Sequence, residues 1–245
     1  MNEVWENLRF FTTRLKALAV SESLQLGENG FCVSTATDFE NWVYFPERVT
    51  SPEVVRNVIR FFGEREEAFM WPVYDGDNEI LEGAGLFYAG DIMAMTLDPA
   101  SASLHVKEGI TFERVTPELA GEWAATAWQG FGGEDDAPRN YREFVRALLD
   151  DAEYFSLHLA KFEGKNAGVF ALTNEPNRVG VYYFATVPEL RRKGIASSMM
   201  SEICSLSAGR RIVLQSTPMG VNFYRSFGFE ELFNIPVYST DKDIL

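Results

Sequence analysis

Apolar residues at Val4, Leu8, Phe11, Leu15 and Leu18 recur at helical spacing, which predicts an amphipathic helix at the start of the chain. A turn from Gly27 to Gly30 then leads into Phe31-Cys32-Val33, a short strand-like run. Ser51-Pro52-Glu53 puts a capping residue ahead of a proline at the first helical position. Val54, Val55, Val58, Ile59, Phe61 and Phe62 then line one face as far as Gly63, which predicts a second helix. Phe69 to Val73 reads as a strand, Asn78 to Ala84 as a short helix closed by Gly85, and Asp91 to Leu97 as an alternating strand. The small, polar, proline-containing stretch Asp98 to Ser103 suits a linker. The expected organisation is an amino-terminal α/β unit over residues 1–100 and a second unit over residues 108–245.

In the second unit, Ile110 to Val115 predicts a strand, and Thr116-Pro117-Glu118-Leu119 repeats the cap-and-proline start for a helix through Trp123 towards Trp128. A Gly- and acid-rich loop, Gly130 to Pro138, separates it from a helix over Arg139 to Leu149. Strands follow at Tyr154 to Phe162, Ala167 to Thr173 and Val179 to Thr186, the first two joined by a tight turn at Glu163-Gly164-Lys165-Asn166. Ile195, Met199, Ile203 and Leu206 keep helical register until Gly209. Ile212 to Leu214 is a buried strand, Gly220 to Phe227 a short helix and Glu230 to Tyr238 a last strand. The order β-α-α-β-β-β-α-β-α-β predicts an α/β (α+β) fold with a mixed, mostly antiparallel sheet flanked by helices.

Of the 245 residues, 46% are hydrophobic, enough for a buried core, and 20 Phe, 9 Tyr and 5 Trp make the chain aromatic-rich. The net charge of −14 argues against a protein that tracks nucleic-acid phosphates, which needs a basic stripe. An acidic field draws in cations such as an amine acceptor, although a solvated acidic surface that aids solubility is the simpler reading. Cys32 and Cys204 are too few for a disulfide framework, Asn2 to Asn7 form no basic leader, and no apolar run has the length of a membrane span. The expectation is a soluble, cytoplasmic protein without a membrane partner, its oligomeric state left open.

One stretch inverts the prevailing charge. Val187 to Ala196 sits where a strand hands over to a helix, so backbone N–H groups converge at a helix N-terminus, a ready anion site. Gly194 and Ala196 admit a diphosphate close to the main chain, while Arg191, Arg192 and Lys193 add positive charge. An exposed basic turn before a helix would read the same way. Some thirty residues downstream stands Asn222-Phe223-Tyr224-Arg225-Ser226-Phe227-Gly228-Phe229.

Together the two stretches resemble the GNAT superfamily of acyl-CoA N-acyltransferases, and the resemblance covers about residues 108–245, including the order of elements. In that family an Arg/Gln-x-x-Gly-x-Gly/Ala loop wraps the coenzyme pyrophosphate, and a Tyr in a Tyr-x-x-x-Gly-Phe context points at the thioester sulfur. The resemblance implies acetyl-CoA as co-substrate, bound by Arg191, Arg192, Lys193, Gly194, Ile195, Ala196 and Ser197. It implies that the splayed strand before the loop, at Phe184, Ala185 and Thr186, offers backbone N–H groups to the pantetheine arm and thioester carbonyl. It also implies that Tyr224 is the general acid for the departing thiolate, a role suited to a phenol whose unperturbed pKa is near ~10. Tyr224 as a core aromatic beside Phe223 and Phe227 is the alternative. Thr217 stands where an Asn often contacts the coenzyme, so that contact is not carried over.

No general base announces itself. Glu134, Asp135 and Asp136 either bind a cationic acceptor or are solvated loop charge, and Glu175 is a weaker candidate. Tyr182 and Tyr183 point to opposite strand faces, so one of them faces an acceptor cavity or both are packed. His105 and His158 read as structural, and no metal-ligand spacing is present. The amino-terminal unit lacks a pyrophosphate loop and resembles the degenerate amino-terminal halves of two-domain members. In that reading Trp42, Trp71 or Tyr74 lines the acceptor site; otherwise they are core. The expected activity is transfer of an acetyl (acyl) group to a small-molecule or peptide amine. The alternatives are a non-catalytic acyl-CoA sensor and a nucleotide-binding module, the latter disfavoured because no Gly-x-x-x-x-Gly-Lys-Ser/Thr loop occurs.

Overall fold

A computed structural model describes residues 2–35, 37, 40–76 and 78–244. Two compact units emerge, and they are not consecutive segments. One comprises Met1–Ala94, Gln215–Val221 and Leu232–Leu245, the other Met95–Leu214 and Asn222–Glu231.

In the first unit, α1 (Glu3–Ala17) starts at Asn2, whose side chain accepts from the Val4 amide at 2.9 Å, and buries Val4, Trp5, Leu8, Phe11 and Leu15. It is followed by an antiparallel meander of β1 (Glu22–Leu26), β2 (Gly30–Ser34) and β3 (Trp42–Tyr44). The short β4 (Arg48–Val49) comes next, then α2 (Pro52–Gly63), β5 (Trp71–Pro72), β6 (Asp75–Gly76), α3 (Asn78–Gly83) and β7 (Phe87–Leu97). Only the middle of the Phe69 to Val73 run is therefore strand. Ser51 occupies the N-cap of α2 without making a side-chain cap bond; Pro52 alone supplies the start.

Val55, Val58 and Phe62 of α2 pack with Phe69, Trp71 and Tyr238, the Phe62 and Phe69 rings stacked at 4.5 Å. Trp71 is wholly buried, and Trp42 is buried with its indole N–H on Glu40 Oε2 at 3.1 Å, so both are core residues of this unit. Tyr74 is half exposed and meets Trp5 edge-on.

The second unit follows the predicted order: β8 (Ile110–Arg114), α4 (Ala120–Gly130), α5 (Arg139–Asp150), β9 (Phe155–Phe162), β10 (Lys165–Asn174), β11 (Arg178–Thr186), α6 (Ile195–Leu206), β12 (Arg211–Ser216), α7 (Val221–Phe227) and β13 (Glu230–Ser239). β12 belongs to this unit as far as Leu214, α7 from Asn222 and β13 as far as Glu231. From Leu232 on, β13 belongs to the first unit, where Val237 and Tyr238 pair antiparallel with Pro72 and Trp71. The β9–β10 turn needs only Glu163 and Gly164, both at positive φ (51° and 77°), the backbone that a two-residue hairpin requires; Lys165 and Asn166 already belong to β10.

The sheet order is β12-β11-β10-β9-β8, antiparallel throughout except for β11–β12, which is parallel. Trp123 of α4 and Phe144 of α5 cover one face, where Tyr183 packs between them with ring centroids at 5.8 and 6.2 Å. Thr116 precedes a single 3₁₀ turn, Pro117–Leu119, rather than capping α4 directly, and its hydroxyl donates to Glu118 at 2.6 Å.

Candidate functional site

Two departures from regular pairing shape β11. Its parallel register with β12 covers Arg178↔Arg211, Val179↔Ile212 and Gly180↔Val213 and ends there, before the stretch 181–186. On the other side the register with β10 slips: Val169 faces Ala185 but Ala171 faces Tyr182, so Tyr183 and Phe184 together oppose Phe170. This is a β-bulge, and Tyr183 occupies its left-handed position with φ 51°. Holding a bulky residue there costs of order 1–3 kcal/mol, and such strain is found mostly where it re-aims a functional strand. The bulge falls immediately before Phe184, Ala185 and Thr186, the stretch expected to meet the coenzyme.

The chain leaves β11 through a 3₁₀ turn, Pro188–Leu190, and enters α6 at Gly194. Gly194 holds φ 81°, and Arg192 also lies at positive φ, 60°. A Cβ on Gly194 would meet Lys107 Cδ at 3.5 Å, an ordinary contact, so within the chain it is the left-handed dihedral that selects glycine. The first intrahelical bond runs from the Ser198 amide to the Gly194 carbonyl at 3.1 Å. The amides of Ile195, Ala196 and Ser197 precede it and point out of the helix end. Arg192 and Lys193 are exposed beside them. Partial positive charge from the helix and formal charge from two side chains thus coincide.

Arg191 is turned elsewhere. Its Nη2 donates to the Gly130 carbonyl at 2.9 Å and its Nε to the Thr186 carbonyl at 3.2 Å. Gly130, at the end of α4, lies so close to β11 that a Cβ there would sit 2.7 Å from the Ala185 Cβ. Sequence reasoning missed this contact; the run Gly130-Phe131-Gly132-Gly133 was its only signal.

Tyr224 on α7 comes next to β11. Its ring centroid is 6.0 Å from that of Phe184, 5.3 Å from Phe223 and 5.4 Å from Phe229, and Phe223 in turn lies 5.8 Å from Phe184. The side chain keeps some exposure, yet desolvation pushes its phenol well above the ordinary value, so the group stays protonated. Gly228 closes α7 at φ 101°. One aromatic cluster thus joins the expected general acid to the strand expected to carry the thioester.

Other sequence candidates have surroundings of their own. Glu134, Asp135 and Asp136 are exposed on the α4–α5 loop. Glu175 is ion-paired with Arg178 at 3.1 Å, at the end of β11 opposite to the loop and roughly 25 Å from it at ~3.3 Å per residue. His158 is buried and stacked on Phe170 at 4.8 Å. Burial, with the Arg114 charge second, lowers its pKa to about 4. His105 packs edge-on against Phe227. Both cysteines are buried and their thiols are pushed up by desolvation, which suits neither to nucleophilic chemistry. Among the described residues no cluster of His, Cys, Asp and Glu has metal-binding geometry, and no helix is long and apolar enough to cross a membrane.

A family model described as an acetyltransferase (GNAT) domain matches residues 153–231. No curated protein matches the sequence. Among solved structures, a GCN5-related N-acetyltransferase from Kribbella flavida is similar over 98% of this chain and 96% of its own, with a TM-score of 0.67 at 13% identity. A GCN5-related N-acetyltransferase from Sphaerobacter thermophilus is similar over 88% of this chain and 81% of its own (TM-score 0.59, 15% identity). A tandem GNAT protein from the clavulanic acid biosynthesis pathway is similar over 91% and 83% (TM-score 0.56, 11% identity). At these identities the likeness is one of fold. Fold and matched domain agree: residues 153–231 match an acetyltransferase (GNAT) domain, and the fold is the one seen in these GNAT structures.

Proposed function

We propose that the chain is an acyl-CoA-dependent N-acyltransferase that moves an acetyl group from acetyl-CoA to a small-molecule or peptide amine in a ternary complex. The observation that carries the reading is the meeting of Tyr224 with Phe184, ring centroids 6.0 Å apart, on a strand that leads through the Pro188–Leu190 turn into a helix N-terminus flanked by Arg192 and Lys193. The diphosphate binds the amides from Arg192 to Ser197, with Arg192 and Lys193 as its cations, while the Arg191 amide is held by the Pro188 carbonyl at 3.2 Å. The pantetheine arm follows Phe184, Ala185 and Thr186, where the bulge re-aims β11 and the β12 register has ended.

The chemistry balances with these groups. A neutral amine attacks the thioester carbon, the C–N bond forms as the C–S bond breaks, and backbone N–H groups of β11 take the oxyanion. The sulfur receives a proton from the Tyr224 phenol, and the proton lost by the amine restores it through solvent. Because burial raises the phenol's pKa, Tyr224 acts as a donor to developing thiolate charge and is not ionised at neutral pH. The net charge of −14 favours a cationic acceptor. Residues 108–245 form the catalytic domain in this reading, residues 1–100 a degenerate copy of the same fold, and the enzyme works in the cytoplasm.

Calorimetric titration with acetyl-CoA and, separately, with ATP tests the reading. We expect micromolar binding of acetyl-CoA alone, abolished in Gly194→Glu, and then thiol release with an amine acceptor. A folded protein that binds no acyl-CoA would overturn the proposal, and binding without turnover across an acceptor panel would leave a sensor.

A further inference from the structure

The end of α4 carries an unusual debt. A helix leaves its last four carbonyls without intrahelical donors, and here each has an identifiable partner. The Ala127 carbonyl accepts from the Phe131 amide at 2.9 Å, Trp128 from Gly133 at 2.9 Å and Gln129 from Gly132 at 3.0 Å. The fourth, Gly130, accepts from Arg191 Nη2 at 2.9 Å, a donor from the loop that leads into α6. The same guanidinium donates through Nε to Thr186, the last residue of β11, at 3.2 Å. Its positive charge also lies at the negative end of the α4 dipole.

We propose that Arg191 is a positioning residue: it caps α4 from within the anion-binding loop and so locks that loop to the α4–α5 connection, rather than serving as a ligand of the diphosphate. The inference rests on the proposed function, since it assigns the loop to acetyl-CoA. The planar fork of an arginine lets one side chain hold two carbonyls in fixed directions; a lysine, with a single ammonium, keeps the charge and loses the fork. Steric fit supports the lock. Gly130 is pressed against Ala185, where a Cβ would stand 2.7 Å from the Ala185 Cβ, and a Cβ on Gly133 would stand closer still to the Trp128 indole. The α4 terminus, the end of β11 and the loop are one joint, and Arg191 is its polar fastening. Order in the α4–α5 loop, which carries Glu134, Asp135 and Asp136, is thereby tied to order in the coenzyme loop.

Arg191→Lys and Arg191→Gln, with Lys193→Gln as comparison, separate fastening from charge. Hydrogen exchange at the amides of residues 131–133 reports the cap, and calorimetry reports acetyl-CoA affinity. We expect both Arg191 variants to exchange at least roughly tenfold faster at these amides and to bind acetyl-CoA about tenfold more weakly, the scale of one lost charged hydrogen bond. Lys193→Gln should weaken binding and leave the exchange unchanged. Wild-type affinity in Arg191→Lys, or unaltered exchange in both Arg191 variants, would overturn the inference. Faster exchange with unaltered affinity would also overturn it, because a merely structural cap behaves that way. Should Arg191→Gln fail to fold, Arg191→Lys decides alone. Failure of the wild type to bind acetyl-CoA would count against the proposed function, and the cap would then stand or fall on the exchange data.

Discussion

The ring of Phe184 on β11 and the ring of Tyr224 on α7 lie with centroids 6.0 Å apart at an interplanar angle of 57°, within one cluster that also holds Phe223. This contact sets the phenol beside the strand expected to carry the thioester. Packing and chemistry therefore depend on the same ring but on different atoms of it.

Tyr224→Phe removes the phenol and keeps the ring. The expected result is a fall in kcat of roughly a hundredfold or more, with KM for acetyl-CoA and the melting temperature little changed. Because burial raises the phenol's pKa above its ordinary 10.0, no loss of activity from Tyr224 ionisation should appear between pH 6 and pH 9. A steady-state pH profile of wild type and variant checks both points.

Gly194→Ala should fold, since the new Cβ finds ordinary contact with Lys107 Cδ at 3.5 Å, while the left-handed φ of 81° costs about 1 kcal/mol. The methyl group would stand where a diphosphate must approach. Acetyl-CoA affinity should drop at least about tenfold in calorimetry while urea denaturation shifts only slightly.

Gly130→Ala and Gly121→Ala place the same change on one helix with opposite expected signs. At Gly130 the Cβ would stand 2.7 Å from the Ala185 Cβ, an overpacking that costs about 1–3 kcal/mol. At Gly121 nothing lies within 4 Å, and the gain in helix propensity is about 0.5–1 kcal/mol. Urea midpoints should move in opposite directions.

His158 links stability to pH. Its folded pKa, lowered to about 4 from 6.5, means that the unfolded chain binds the proton more readily. The stability it confers is complete above about pH 6.5 and is lost as pH falls towards 4, a change of roughly 3 kcal/mol at about 1.4 kcal/mol per unit. His158→Phe retains a ring for stacking on Phe170 and should show a shallower loss of stability between pH 7 and pH 4.5 in urea titrations.

Local rules made much of the fold legible. The cap-and-proline starts at Ser51-Pro52 and Thr116-Pro117 located α2 and α4, although neither hydroxyl makes the helix-capping bond, because proline at the first position suffices to begin a turn. Strict apolar periodicity located α1, α5 and α6 within a residue or two. The strands β1, β3, β4 and β6 escape a local reading: Glu22–Leu26 is largely exposed and lacks the alternation that marks a half-buried strand, and the other three are only two or three residues long.

By itself, then, the sequence determined the order of elements in the second unit, the helix-terminus loop with its Gly194 turn, and the candidate acid in Tyr-x-x-x-Gly-Phe, because each depends on neighbours along the chain. Tertiary structure alone decided the bulge that sets Tyr183 at φ 51°, the use of the Arg191 guanidinium on Gly130 rather than on open solvent, and the departure of β13 to pair with Trp71 and Pro72. Those outcomes turn on which backbone groups and which small residues meet across long separations, and no local preference carries that information.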